Sequence, residues 1–277
     1  MSGAAPHETR KLPVRRTAVA TYAFLFRNGR EALRIGWLPV LAVFALGVVR
    51  DYLPSGEDWP STLRVFYRFT ITAAYAPIVA MTVVPWHRYI LLNQRIRGGI
   101  LAVALTVREG RYAILSVAIV AIVTGMDWAG WLVSYAHDWF SGTDIVLVFV
   151  RLAANLPFFA VTFYLSAVLA LALPAAAVDR DSSLKSALRL GYRNGWRFVL
   201  IIVAVSVPYY VYYYGSDYVP EPAYEGGLRM PWIFTSAVIF VFETLIAATA
   251  LSLAYRALGG LRGSVAAPSV IPTSGDA

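Results

Sequence analysis

The sequence predicts an all-α integral membrane protein: six transmembrane helices arranged as three helical-hairpin repeats, with short cytoplasmic interfacial helices. Three observations carry that expectation. Apolar residues make up 58% of the 277-residue chain and charged residues 14%, where a soluble domain carries about 25% charged. Six apolar runs each approach the roughly 20 residues that a helix needs to cross a bilayer core. Nineteen of the 24 lysines and arginines fall in connections that share one side of a six-span topology, the asymmetry that sets orientation.

Residues 1–16 are polar and basic. They lack the apolar core and small-residue cleavage site of a cleavable signal peptide, so the first spanning helix is expected to direct insertion. The six runs lie near Leu33 to Tyr52, Phe69 to Leu92, Tyr112 to Val133, Ile145 to Ala172, Phe198 to Tyr214 and Trp232 to Tyr255. The first is the shortest, because its uninterrupted part runs from Ile35 to Val49; it spans if Arg34 and Arg50 snorkel to opposite faces. A transmembrane domain over 17–258 follows, in units of about 17–95, 96–179 and 180–258, with a disordered cytoplasmic tail at 259–277.

Both termini are expected to be cytoplasmic. The N-terminal segment and the connections after the second and fourth spans hold the basic residues, whereas Asp51, Glu57, Asp58, Asp127, Asp138, Asp144, Asp217, Glu221 and Glu225 lie in the others. A net charge of +8 placed between apolar runs points to anionic lipid headgroups rather than nucleic acid. With no cysteine in the chain, disulfides, thiolate metal sites and cysteine nucleophiles are excluded.

An internal repeat organises the spans. Arg27-Asn28-Gly29, Arg108-Glu109-Gly110 and Arg193-Asn194-Gly195 each precede an odd-numbered span, at separations of 81 and 85 residues. Such a motif suits a corner, glycine or asparagine turning the chain while arginine stays at the phosphate level. A surface helix is expected before each corner, clearest where Leu184, Ala187, Leu188 and Gly191 recur at helical spacing beside Lys185, Arg189 and Arg193. Pro77, Pro157 and Glu243 follow the three corner arginines by 50, 49 and 50 residues, which places two helix breaks and one carboxylate at similar depth.

Pro174-Ala-Ala-Ala-Val-Asp179, the stretch from Leu184 to Gly195, Trp196-Arg197-Phe198 and the closing Ala254-Tyr255-Arg256-Ala257-Leu258 resemble the membrane-domain family associated with glycerophosphoryl diester phosphodiesterases. They are equally similar to uncharacterised six-helix bacterial inner-membrane proteins. Trp86-His87-Arg88-Tyr89-Ile90-Leu91-Leu92 resembles a segment of alphaproteobacterial members. The resemblance implies six spans and the bacterial inner membrane. It does not carry over phosphodiesterase activity, because the catalytic barrel with its acidic and histidine metal ligands has no counterpart in this chain.

Glu243, about 18 Å beyond Pro231 along a helix, falls near the membrane midplane, where a carboxylate must face the bundle interior. One reading is a proton or cation site shared with Asn155 and Arg151. The other is a structural carboxyl bonded to a neighbouring helix, at a carbonyl freed by Pro77 or Pro157. His87 reads as an interfacial anchor beside Trp86 and Arg88. His137 has Asp138 adjacent rather than one turn away, which is poor spacing for a metal. Seven tyrosines between Pro208 and Tyr224 read as an aromatic belt, with a sugar or headgroup platform as the competing idea. No nucleotide-binding loop, nucleophile elbow or zinc-protease motif occurs. The expected function is therefore non-enzymatic and without cofactor or metal: a membrane scaffold or envelope-homeostasis component, with self-association into a homo-oligomer open to it. The alternative is a small transporter or lipid-handling protein with a central site at Glu243. An enzyme acting on lipid-linked substrates through His137, Asp138 and Arg151 is the third class.

Overall fold

The computed structural model describes residues 11–52, 61–94, 106–138, 145–216 and 229–261, with backbone alone over stretches that include 127–138 and 145–155. Among the described residues it is helical and without strands. The helices are α1 (Val14–Arg27), α2 (Gly29–Tyr52), α3 (Ser61–Leu92), α4 (Val107–Asp138), α5 (Ile145–Ala170), α6 (Ala172–Ala177), α7 (Leu184–Gly191), α8 (Gly195–Ser216) and α9 (Arg229–Ala257). Six segments are long and apolar enough to cross a membrane: Gly29–Asp51, Phe69–Leu92, Val107–Met126, Leu156–Ala177, Gly195–Tyr213 and Arg229–Ala257. The chain is thus a multi-pass membrane protein by helix length and composition, with spans where the apolar runs place them. The fourth differs in form, since it breaks at Leu171 and continues as α6.

Each spanning helix packs on its neighbour in chain order, and α9 closes back on α2. The resulting ring is collapsed where α3 and α9 touch across it. At the end that carries Leu12 and Gly260, α6 reaches both α3 and α9. The approach is close because the facing residues are small: Ala172, Ala175 and Ala177 on α6, and Ala248, Ala250 and Ala254 on α9, are all buried. Helix α2 lies on α9 through two glycines, Gly36 against Val241 and Gly47 against Ile233. We call the closed end the basic end and the opposite one the aromatic end.

Helix α1 departs from the expectation of an interfacial helix. It starts at Val14, inside the segment read as a polar tail, and packs between α8 and α9. Thr17, Thr21 and Leu25, four residues apart, are its buried face. The two hydroxyls bond back to the carbonyls of Pro13 (2.8 Å) and Thr17 (2.9 Å), which lets threonine sit in an apolar interface. Helix α7 is a short helix capped by Ser183, whose hydroxyl accepts from the Ser186 N–H. Its buried face is Ala187 and Gly191; Leu188 points outward, and Arg193 lies beyond the helix rather than on its face. The surface helix expected before the second corner, over 96–107, falls almost wholly outside the described residues.

The corners also differ from the glycine-centred expectation. Gly29, Gly110 and Gly195 are helical, and the left-handed residue is Arg193, at φ 69°. Asn28 and Asn194 supply the first acceptor of α2 and α8, taking the N–H of Ala32 (3.0 Å) and Phe198 (2.9 Å). In the middle unit that place belongs to Thr106, which accepts from Gly110 at 3.0 Å. Glu109 reaches back to the Thr106 backbone N–H (3.0 Å) and hydroxyl, forming a capping box. Arg108-Glu109-Gly110 therefore lies within the first turn of α4, three residues out of step with the other two motifs.

Candidate functional site

At the basic end the corner asparagines tie distant segments together. Asn28 donates from Nδ2 to the Phe24 carbonyl (2.8 Å), and its Oδ1 accepts the Tyr89 hydroxyl at 2.6 Å. Asn194, buried, accepts the Leu12 N–H at 2.9 Å, while Arg197 donates to the Leu12 carbonyl at 3.1 Å. Tyr89 stacks on Trp86 with centroids 5.6 Å apart, and the Trp86 indole donates to Thr249 Oγ1 on α9 at 2.8 Å.

His87 is the centre of this end. It and Trp86 are 0% exposed, which corrects the reading of either as an interfacial anchor: the small-residue face of α9 draws both rings inward. The Ser252 hydroxyl donates its single hydrogen to the Ala248 carbonyl (2.8 Å), so the 2.6 Å contact with His87 Nδ1 has the imidazole as donor. That assigns the neutral Nδ1–H tautomer and leaves Nε2 to accept the Tyr112 hydroxyl, 3.4 Å away.

Asp179 joins three elements at the rim. It occupies the left-handed position (φ 55°) that closes α6, with the paired bonds of a glycine cap, Asp179 N–H to Ala176 O and Arg180 N–H to Ala175 O. Its carboxylate accepts from Arg108 of α4 through Nε (3.0 and 3.1 Å) and Nη2 (2.8 Å), and from Arg88 of α3 at 3.2 Å. The hydrogen bonds from Arg108 hold this carboxyl below the usual carboxylate range. Arg108 was legible as an interfacial cation; its partner 71 residues away was not.

Around this lock the basic end is strongly cationic. Arg15, Arg16, Arg27, Arg30, Arg111, Lys185, Arg189 and Arg193 are exposed. Arg180 and Arg189 also line a recess of about 570 Å³ whose floor is Leu171, Ala175 and Tyr255.

Glu243 lies on α9 about 21 Å before its end at Ala257. It accepts the Ser206 hydroxyl of α8 at 3.2 Å. Tyr22 of α1 and Tyr209 of α8 are within electrostatic reach of it, and Tyr22 donates to the Val205 carbonyl at 2.6 Å. The carboxyl meets a serine rather than a carbonyl freed by Pro77 or Pro157, although both prolines sit inside their helices, α3 and α5. The side chains of Asn155 and Arg151, like those of Asp127, His137 and Asp138, lie outside the described residues, as do Asp144 and the tyrosines at 218 and 224.

At the aromatic end a recess of about 790 Å³ lies between α2, α8 and α9, walled by Arg50, Tyr209, Tyr212, Tyr213, Arg229 and Trp232. Tyr212 stacks on Trp232 with centroids 5.6 Å apart, and Tyr209 on Tyr213 at 6.2 Å. Arg229 is ion-paired with Asp51 and donates to its carbonyl at 3.0 Å. A second recess of about 360 Å³, between α3, α4 and α9, shares Arg50, Tyr75 and Phe240 with the first. Among the described residues no group of three histidine, cysteine or acidic side chains is placed to hold a metal ion.

No family model, curated protein or solved structure matches this chain.

Proposed function

We propose that the chain is a non-enzymatic scaffold of the bacterial inner membrane, with both termini cytoplasmic, that gathers anionic lipid headgroups at its basic end. One observation carries the reading: two exposed guanidiniums, Arg180 and Arg189, line a recess at an end of the bundle that is locked by Asp179, His87 and the contacts of Asn28 and Asn194. A rigid cationic rim binds phosphate without rearranging, and each cation near an anionic surface contributes about 1 kcal/mol. The residues that resemble the phosphodiesterase-associated membrane domains lie largely on this end, and three like hairpin units, one per corner, are part of the proposal. The test is reconstitution in nanodiscs of mixed phosphatidylcholine and phosphatidylglycerol, followed by measurement of the lipid retained on extraction. Enrichment of phosphatidylglycerol that falls on combining Lys185→Gln with Arg189→Gln is expected; a retained pool with the bulk composition would reject the reading.

A second reading, a small transporter or lipid-handling protein, is favoured by one specific arrangement. Tyr209 lines the aromatic-end recess and also lies within electrostatic reach of Glu243, so one side chain links the recess wall to the surroundings of the mid-membrane carboxyl.

A further inference from the structure

We propose that Arg50 is the headgroup ligand of a bound anionic phospholipid at the aromatic end, its phosphate on the guanidinium and one acyl chain in the smaller recess. This site is at the opposite end of the bundle from the basic rim and does not depend on it. Three observations converge. Arg50 stands where the two recesses meet, a member of both walls. The larger recess has the chemistry of a headgroup pocket, with tyrosines, Trp232 and Arg229 around it. The smaller is apolar, walled by Phe69, Ile71, Val79, Val117, Val120 and Phe240. Its Ser116 hydroxyl is spent on the Tyr112 carbonyl at 2.9 Å. The pair thus divides polar from apolar at one cation, as a phospholipid does at its phosphate.

Charge points the same way. Among the described residues lining the two recesses, Arg50 and Arg229 face one carboxylate, Asp51, which Arg229 engages. A guanidinium at that junction is the complement of a phosphodiester. Arg50 closes a spanning segment, at the level where a lipid phosphate is the anion always at hand.

The test uses photoactivatable phosphatidylglycerol, with the reactive group on an acyl chain, and the full chain in phosphatidylcholine nanodiscs. Crosslinks are expected in 69–79 and 117–120. They should fall about tenfold in Arg50→Gln, the size of one lost charge-assisted contact, and likewise in Val117→Trp, which fills the smaller recess and leaves Arg50 in place. Labelling at the basic end should stay unchanged in both, which reports that each variant is folded. If Arg50→Gln does not fold, Val117→Trp and the wild-type crosslink map decide. The proposal is overturned if those segments label equally in the variants, if a phosphatidylcholine probe labels them as well, or if excess glycerol phosphate competes the label away and so marks a site for free phosphate.

Discussion

The Arg108 guanidinium reaches from the first turn of α4 to the Asp179 carboxylate and meets it through Nε at 3.0 Å and Nη2 at 2.8 Å. Because Arg88 of α3 bonds the same carboxylate at 3.2 Å, one residue in a left-handed turn fastens three helices.

Replacing Asp179 separates its two roles. Asp179→Ala loses both ion pairs and keeps a side chain at φ 55°, so it should cost about 1 to 2 kcal/mol, discounted because Asp179 is half exposed. Asp179→Gly loses the pairs but relieves the backbone, and should be the milder change when melting is followed in detergent. The carboxyl's folded-state pKa is depressed, so its contribution is present above the unfolded value, about 3.9, and is lost as pH falls through the folded one. Asp179→Asn should therefore melt lower than wild type at neutral pH and converge with it once the pH has fallen through the carboxyl's depressed folded-state value; a constant gap would disprove the linkage.

The corner glycines are not equivalent. A Cβ on Gly195 would lie 2.2 Å from Tyr164 Cε2 and 2.9 Å from Val168 Cγ2, whereas one on Gly29 or Gly110 meets nothing within 4 Å. Gly195→Ala should destabilise by about 1 to 3 kcal/mol through overpacking of α8 on α5. Gly29→Ala should be neutral or stabilise by about 0.4 to 1 kcal/mol. Thermal melts of the three alanine variants check the ranking, and equal effects would mean that the motif acts through the turn alone.

These glycines also show what the sequence could and could not reveal. Span number and position were legible because lipid demands long apolar helices, and Pro77, Pro157 and Glu243 lie inside helices α3, α5 and α9. Asn28 and Asn194 stood in the motif, yet their partners Tyr89 and Leu12 lie 61 and 182 residues away, and no local period encodes such pairs. His87 was misread because Trp-His-Arg beside a basic connection has the composition of an interface; the small residues of α9 that bury it belong to another unit. Arg50 read as a snorkelling cation, and the recesses on either side of it emerge only from packing.

The His87 tautomer gives a third expectation. Removing the acceptor with Ser252→Ala leaves a buried Nδ1–H unpaired, at a cost of about 1 to 3 kcal/mol. His87→Leu removes the donor and disturbs Tyr112 as well. The double variant should be more stable than the two single effects added together, because neither polar group then lacks its partner. Nitrogen NMR of histidine-labelled protein should show the hydrogen on Nδ1, and a hydrogen on Nε2 would reverse the assignment.

Glu243 decides between scaffold and transporter. Gln in its place keeps an acceptor for the Ser206 hydroxyl, so Glu243→Gln should fold in wild-type yield. Glu243→Leu leaves that hydroxyl to bond back within α8 and should cost about 1 kcal/mol, seen as a lower yield of monodisperse protein. In liposomes carrying a pH-sensitive dye, a scaffold gives no proton flux in any of the three proteins. Flux in the wild type that vanishes in both folded variants would instead assign the carboxyl a transport role, because the amide preserves the hydrogen bond to Ser206 and removes only the capacity to exchange a proton.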